Sequence, residues 1–342
     1  MKIIYILFTT LFFSDVSESF SQNLKINEIM SNNLKTLVDE DDDNVDWIEI
    51  YNPTGNPILL SSYFLSDDNS FPLKWQLPEL SLASNDFVVI YASNKNRISD
   101  TNYHTNFKIS KAGSYLSLTT SQNILIESIQ VPELFFDISY GKSQDGNDSW
   151  AYFSNPSPNS TNNLSFAYSC MLNSPQIEVE SGKFTSSFST TISHSDTGIT
   201  LKYSLDGSDP FSNGTIYSSP VLIENIDYAN NFSTIPTNPS FTFPMGAYSE
   251  IRANTRGWLP PFVDLENIAV LKVQATKNGC ISSPIESRTY LINNDDSLGV
   301  ISIFVDSMDF FSDEYGIYVY GADSLGNYMG HVKKLGRSLK FA

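Results

Sequence analysis

Asp39-Glu40-Asp41-Asp42-Asp43 places five acids in a row, and Asp46 follows within one more turn of chain. Side chains so spaced repel one another unless a cation or water screens them. Asp39, Asp41 and Asp43 occupy the alternating positions from which oxygen ligands reach a hard ion, so calcium is the metal to expect. The EF-hand pattern itself fails, because its sixth place needs Gly and its twelfth Glu, where the chain has Asn44 and Ile50. A solvated acidic loop is therefore the favoured reading, with calcium as the alternative.

Other residue types that could do chemistry are dispersed. Asp46 and Glu49 resemble an acid–base pair, but strand alternation puts them on opposite faces and favours surface or turn-anchoring roles. His104, His194 and His331 belong to no H-x-x-H or G-x-S-x-G arrangement, and no Gly-rich phosphate loop occurs. We expect no catalytic residue, no cofactor-binding residue and no enzyme activity in this chain. Cys170 and Cys280 are the only cysteines. They either close a long loop as a disulfide or remain two free thiols, and they are too few for a zinc site. Trp258 lies in a stretch, 224–267, that also holds Pro236, Pro239, Pro244, Pro260 and Pro261. It could stack on a sugar ring or simply cover a core.

Those residues must be held by a strand-rich scaffold. Short apolar runs at Lys25–Met30, Val45–Tyr51, Phe87–Ala92, Tyr115–Thr119 and Leu125–Val131 are separated by turn formers such as Asn52-Pro53-Thr54-Gly55 and Asp145-Gly146-Asn147-Asp148. Within the second run, Ile48 and Ile50 alternate with Trp47, Glu49 and Tyr51, which predicts a sheet with one buried face. A further set of runs, between Ile177 and Ile292, predicts a second strand-rich unit, with Asp206-Gly207-Ser208-Asp209-Pro210 at a corner.

Length and charge bound the rest. The chain has 342 residues, long enough for two or three domains, and a formal charge of -18, which repels nucleic acid. Lys2, the apolar run Ile3–Phe13 and the small residues before Gln22 have the form of a secretory signal spanning 1–21, with cleavage between Ser21 and Gln22. That run is shorter than the roughly 20 residues a membrane span needs, so the chain is expected to be exported and not membrane-spanning.

Leu24 to Met30, Asp46 to Pro53, Phe64 to Asp68, Lys74-Trp75 and Ser157-Pro158-Asn159 together resemble the lamin tail domain, over 23–160. The resemblance implies an immunoglobulin-like sandwich used for binding or display. A linker is expected at 161–175. Tyr203 to Pro210, Tyr217 to Val221 and Leu271 to Ala275 resemble the C-terminal module of chitobiase and β-hexosaminidase-type proteins, over 176–293 with 224–267 inserted. Gly299 to Asp306 and Tyr315 to Gly321 resemble the start of a CotH-type kinase-like domain at 295–342, without its catalytic residues. The expectation is therefore an all-β chain of tandem immunoglobulin-like sandwiches with an incomplete third segment. Its expected role is non-catalytic binding, adhesion or display toward a cell-surface protein or polysaccharide. The alternative is the front part of a CotH-like kinase or carbohydrate-active protein.

Overall fold

A computed structural model describes residues 24–99, 101–224 and 268–292. The signal segment, the 224–267 insertion beyond Glu224, Trp258, and the 295–342 segment lie outside the described residues. The described fold is nearly all strand, 43% against 4% helix, the expected all-β class. The chain divides into two compact units, Met1–Leu172 with Thr276–Ser282, and Asn173–Ala275 with Ser283–Ala342.

The first unit holds a seven-stranded sheet in the order Trp150–Phe153, Ser139–Lys142, Lys25–Met30, Trp47–Tyr51, Phe87–Tyr91, Tyr103–His104, Arg97–Ile98. A four-stranded sheet runs Leu125–Val131, Ser114–Thr120, Tyr63–Ser66, Trp75–Gln76. Ile26, Ile29, Ile48, Ile50, Val88 and Ile90 from the first meet Leu65, Trp75, Leu116, Leu118 and Val131 from the second in one apolar core. This burial of two inner faces is what makes a sandwich stable.

The expectation of a single buried face does not hold for the Trp47–Tyr51 strand, every residue of which is buried. Trp47 packs in a smaller cluster with Met30, Val89 and Tyr91, flanked by Leu37 and Val45. Tyr51 stacks on Phe87 with ring centroids 4.7 Å apart. Alternation still sorts the side chains, but the loops preceding this strand and following Phe153 cover its second face.

A bulge interrupts the pairing of Lys25–Met30 with Trp47–Tyr51: Ile26 lies opposite Ile50, yet Glu28 lies opposite Glu49, leaving Asn27 unpaired. The extra residue lets Ile26 and Ile29 both enter the core. It turns Asn27 and Glu28 toward the face that carries Glu49.

Residues 161–175 are not a free linker. Thr161 caps a 3-10 turn, Asn162–Leu164, through its side chain, and Asn162 is wholly buried. Tyr152 and Tyr168 exchange two backbone hydrogen bonds of 2.9 Å, and Cys170–Met171 pairs in parallel with Cys280–Ile281. Asn and Ser signal turns, and here those turns satisfy buried acceptors instead of meeting only water.

In the second unit a five-stranded sheet runs Gly182–Phe184, Glu286–Ile292, Ile268–Thr276, Thr200–Ser204, Thr215–Ile216. Ile177, Ile192, Val221, Ile223, Leu271, Val273 and Tyr290 form its core. Gly207, at φ 75°, supplies the left-handed position at the 206–210 corner, and Asp209 caps the short helix Pro210–Asn213. No helix among the described residues is long and apolar enough to cross a membrane.

Candidate functional site

The acidic run folds back on itself. Oδ1 of Asp39 accepts the backbone N–H groups of Asp41 and Asp43, each at 3.0 Å, which gathers the three alternating carboxylates. The cation they surround belongs to the protein: Nζ of Lys95 lies 2.6 Å from Asp39, 2.6 Å from Asp41 and 2.9 Å from Asp43. Arg97 adds bonds to Glu40 and, at 2.6 Å, to Asp41. His104 is buried and stacked on Tyr91; its Nδ1 meets Ser93 Oγ at 2.9 Å and its Nε2 faces Glu40 at 3.0 Å.

The electrostatics follow from this closure. Burial works against charge on Lys95, but its hydrogen bonds to Asp39, Asp41 and Asp43 outweigh burial and hold the ammonium above the usual lysine range. Hydrogen bonds from Arg97 and then Lys95 hold Asp41 down to about 2. The calcium expected at Asp39, Asp41 and Asp43 would therefore have to displace an ammonium already bound to all three.

A test follows directly. Lys95→Ala strips the wholly buried Asp39 side chain of its counter-charge. Leaving one member of such a pair unpaired costs about 2–4 kcal/mol after allowance for the partial exposure of the site. In differential scanning calorimetry, millimolar calcium raises the melting temperature of the Lys95→Ala protein and leaves that of the wild type in place. An equal rise in both would mean that calcium, not Lys95, is the native occupant.

Cys170 and Cys280 are joined as a disulfide, with Cα atoms 4.5 Å apart and a sequence separation of 110. An open cleft in the second unit is lined by Tyr203, Asp206, Ser208, Asn213 and Thr215. Its one carboxylate, on Asp206, is spent on the N–H of Ser208 at 2.9 Å.

A second cluster escaped sequence reasoning. Glu28 and Glu49 are both wholly buried, which corrects the surface role expected for Glu49. Glu28 accepts from Ser139 Oγ and from the N–H of Ser157 at 3.1 Å. Glu49 accepts from Asn27 Nδ2 at 3.0 Å and from the N–H of Asn159 at 2.6 Å. Asp145 accepts from the same Asn27 amide at 3.1 Å, from the N–H of Asn162 at 2.9 Å and from Thr161 Oγ1. Only glycine fits at 141 beside them, since a Cβ there would lie 2.8 Å from the carbonyl oxygen of Asn27.

Asp46 stands apart, with its carboxylate near the N–H of Asn33 at 3.3 Å. Burial raises it to about 6. No catalytic geometry links it to Glu49: the hydrogen bonds of each carboxylate go to structural N–H groups on other segments.

Two sheets packed on one apolar core give the first unit an all-β, immunoglobulin-like character. Residues 17–133 match the lamin tail domain family, and residues 190–290 match the Fn3-associated domain family. No curated protein matches the chain.

Proposed function

We propose that the chain is an exported, non-catalytic protein that binds a cell-surface protein or polysaccharide, or displays such a surface, through its two sandwich modules. The observation that carries this reading is the succession of a lamin tail domain and an Fn3-associated domain on an all-β body. Two further observations support export: the signal-like segment ending at Ser21, and the Cys170–Cys280 disulfide, a bond that persists in oxidising compartments. The chitobiase-type likeness of the second module favours a polysaccharide ligand.

Expression from Met1 in a host with a general secretory pathway should deliver extracellular protein whose first residue is Gln22, read by N-terminal sequencing. That protein should be retained on insoluble polysaccharide or on intact cells. Intracellular protein with an intact N-terminus, or protein retained by neither, would refute the reading. The CotH-like alternative rests on Gly299 to Asp306 and Tyr315 to Gly321, which lack the family's catalytic residues, and its test is the gene sequence past residue 342, where an in-frame continuation with kinase-type lysine and acidic motifs would favour it.

A further inference from the structure

We propose that Ser157–Asn162 is a strap that opens from the first unit as pH rises, with Glu28, Glu49 and Asp145 as its latch. Each carboxylate comes from a different segment: Lys25–Met30, Trp47–Tyr51 and the turn after Ser139–Lys142. Each accepts one strap N–H, from Ser157, Asn159 and Asn162 respectively. The hold is polar throughout. From Ser154 to Thr161 the side chains are only Ser, Asn, Pro and Thr, so this stretch brings no large apolar anchor of its own. Segments held by hydrogen bonds without apolar anchors sit at the low end of local stability.

The latch carries a net negative charge, and among the described residues no cation is turned toward it. Lys142, on the adjacent strand, points Nζ to Glu127, 4.3 Å above the Trp150 ring. Lys25 pairs with Asp148 at 3.2 Å. Glu127 itself accepts the N–H of Ile26 at 3.1 Å, and Tyr51, near Asp145, is pushed above the usual tyrosine range chiefly by burial. Glu28 lies directly opposite Glu49 across the two strands, an arrangement that is unfavourable when both are ionised.

Burial raises Glu28 to about 7 and Glu49 to about 8, and the nearby charge of Asp145 adds to both. Opening the strap lets water reach these groups, returning them toward their ordinary value of 4.5. The closed form therefore binds more protons between about pH 4.5 and 8. Rising pH favours the open form across that window, and the bias levels off above it. A protonated carboxyl keeps an acceptor oxygen for the strap N–H, so the closed form at mild acid pH retains its contacts.

The test is amide exchange on the intact, oxidised chain, corrected for base catalysis of the intrinsic rate. Protection of the Ser157, Asn159 and Asn162 amides should fall at least about tenfold between pH 5.5 and 8.5, a tenfold change being the effect of one pKa unit. Protection of the Ile48 and Ile50 amides should hold. In the Glu28→Gln, Glu49→Gln double variant the fall should vanish. Because that variant has one acceptor fewer at each site, the wild type supplies a second readout: carboxyl carbon titration of Glu28 and Glu49 should follow the same midpoints. Flat protection, loss shared by the whole sheet, a fall unchanged in the double variant, or glutamates titrating near their ordinary value would each overturn the strap.

Discussion

Replacing Cys170 and Cys280 together by Ser lowers the unfolding free energy by about 5 kcal/mol when the whole intervening chain unfolds. The size comes from loop closure: a bond that ties residues 110 apart removes that much conformational freedom from the unfolded ensemble. If the second unit stays folded while the first melts, the flexible part of the loop is shorter and the loss is smaller, because closure entropy grows with the logarithm of loop length. The measurement is guanidinium denaturation of oxidised wild type, reduced wild type and the double variant. The last two should share one lowered midpoint. Three coincident midpoints would show that the pairing of Cys170–Met171 with Cys280–Ile281 holds without the covalent bond.

The strands were legible because Ile48 and Ile50, and the runs at 87–92 and 125–131, follow period 2 or sit between turn formers. The acidic loop was legible only as alternating carboxylates at Asp39, Asp41 and Asp43, for which water is the favoured screen and calcium the alternative. Its partner was not legible. Lys95 lies 56 residues from Asp39 and is brought there by the turn after Phe87–Tyr91, a non-local pairing that no local pattern encodes. The latch was hidden for a different reason. Apolar residues at 26 and 29 break period 2, and only the register against Trp47–Tyr51 reveals that a bulge at Asn27 absorbs the extra residue and swings Glu28 to the far face. With that bulge in place, Glu28 and Glu49 share a face and Ser157-Pro158-Asn159 becomes their lid; the lamin-tail resemblance names all three segments, but no local pattern shows that they meet. Composition also misled at 161–175, where Asn162 looks like linker material yet donates its amide to the carbonyl oxygen of Lys142 at 2.9 Å.

Trp47→Ala should cost about 3–5 kcal/mol, as much as truncating a residue of the main core, although Trp47 points away from that core. A half-buried sheet would put this side chain at the surface, where substitution stays within about 0.5 kcal/mol. Instead it is wholly buried among Met30, Val89, Tyr91, Leu37 and Val45, and its removal leaves a cavity beneath the loop that carries Leu37. Trp47→Phe separates volume from polarity. The indole Nε1 is buried without a hydrogen-bond partner among the described residues, so losing it recovers part of the cost of the lost ring atoms, and the net change should be about 1 kcal/mol. Urea unfolding of Trp47→Ala, Trp47→Phe and Ile48→Ala, followed by far-ultraviolet circular dichroism, ranks the two faces. If Trp47→Ala proves nearly neutral while Ile48→Ala is costly, the outer face is a surface after all, and the loops over it are ornaments on the sandwich. If the two alanine variants cost alike, the first unit has a second, smaller core. The loop before Trp47 and the strap over Glu49 are then structural parts of the same face, one held by apolar contact and the other by three carboxylates.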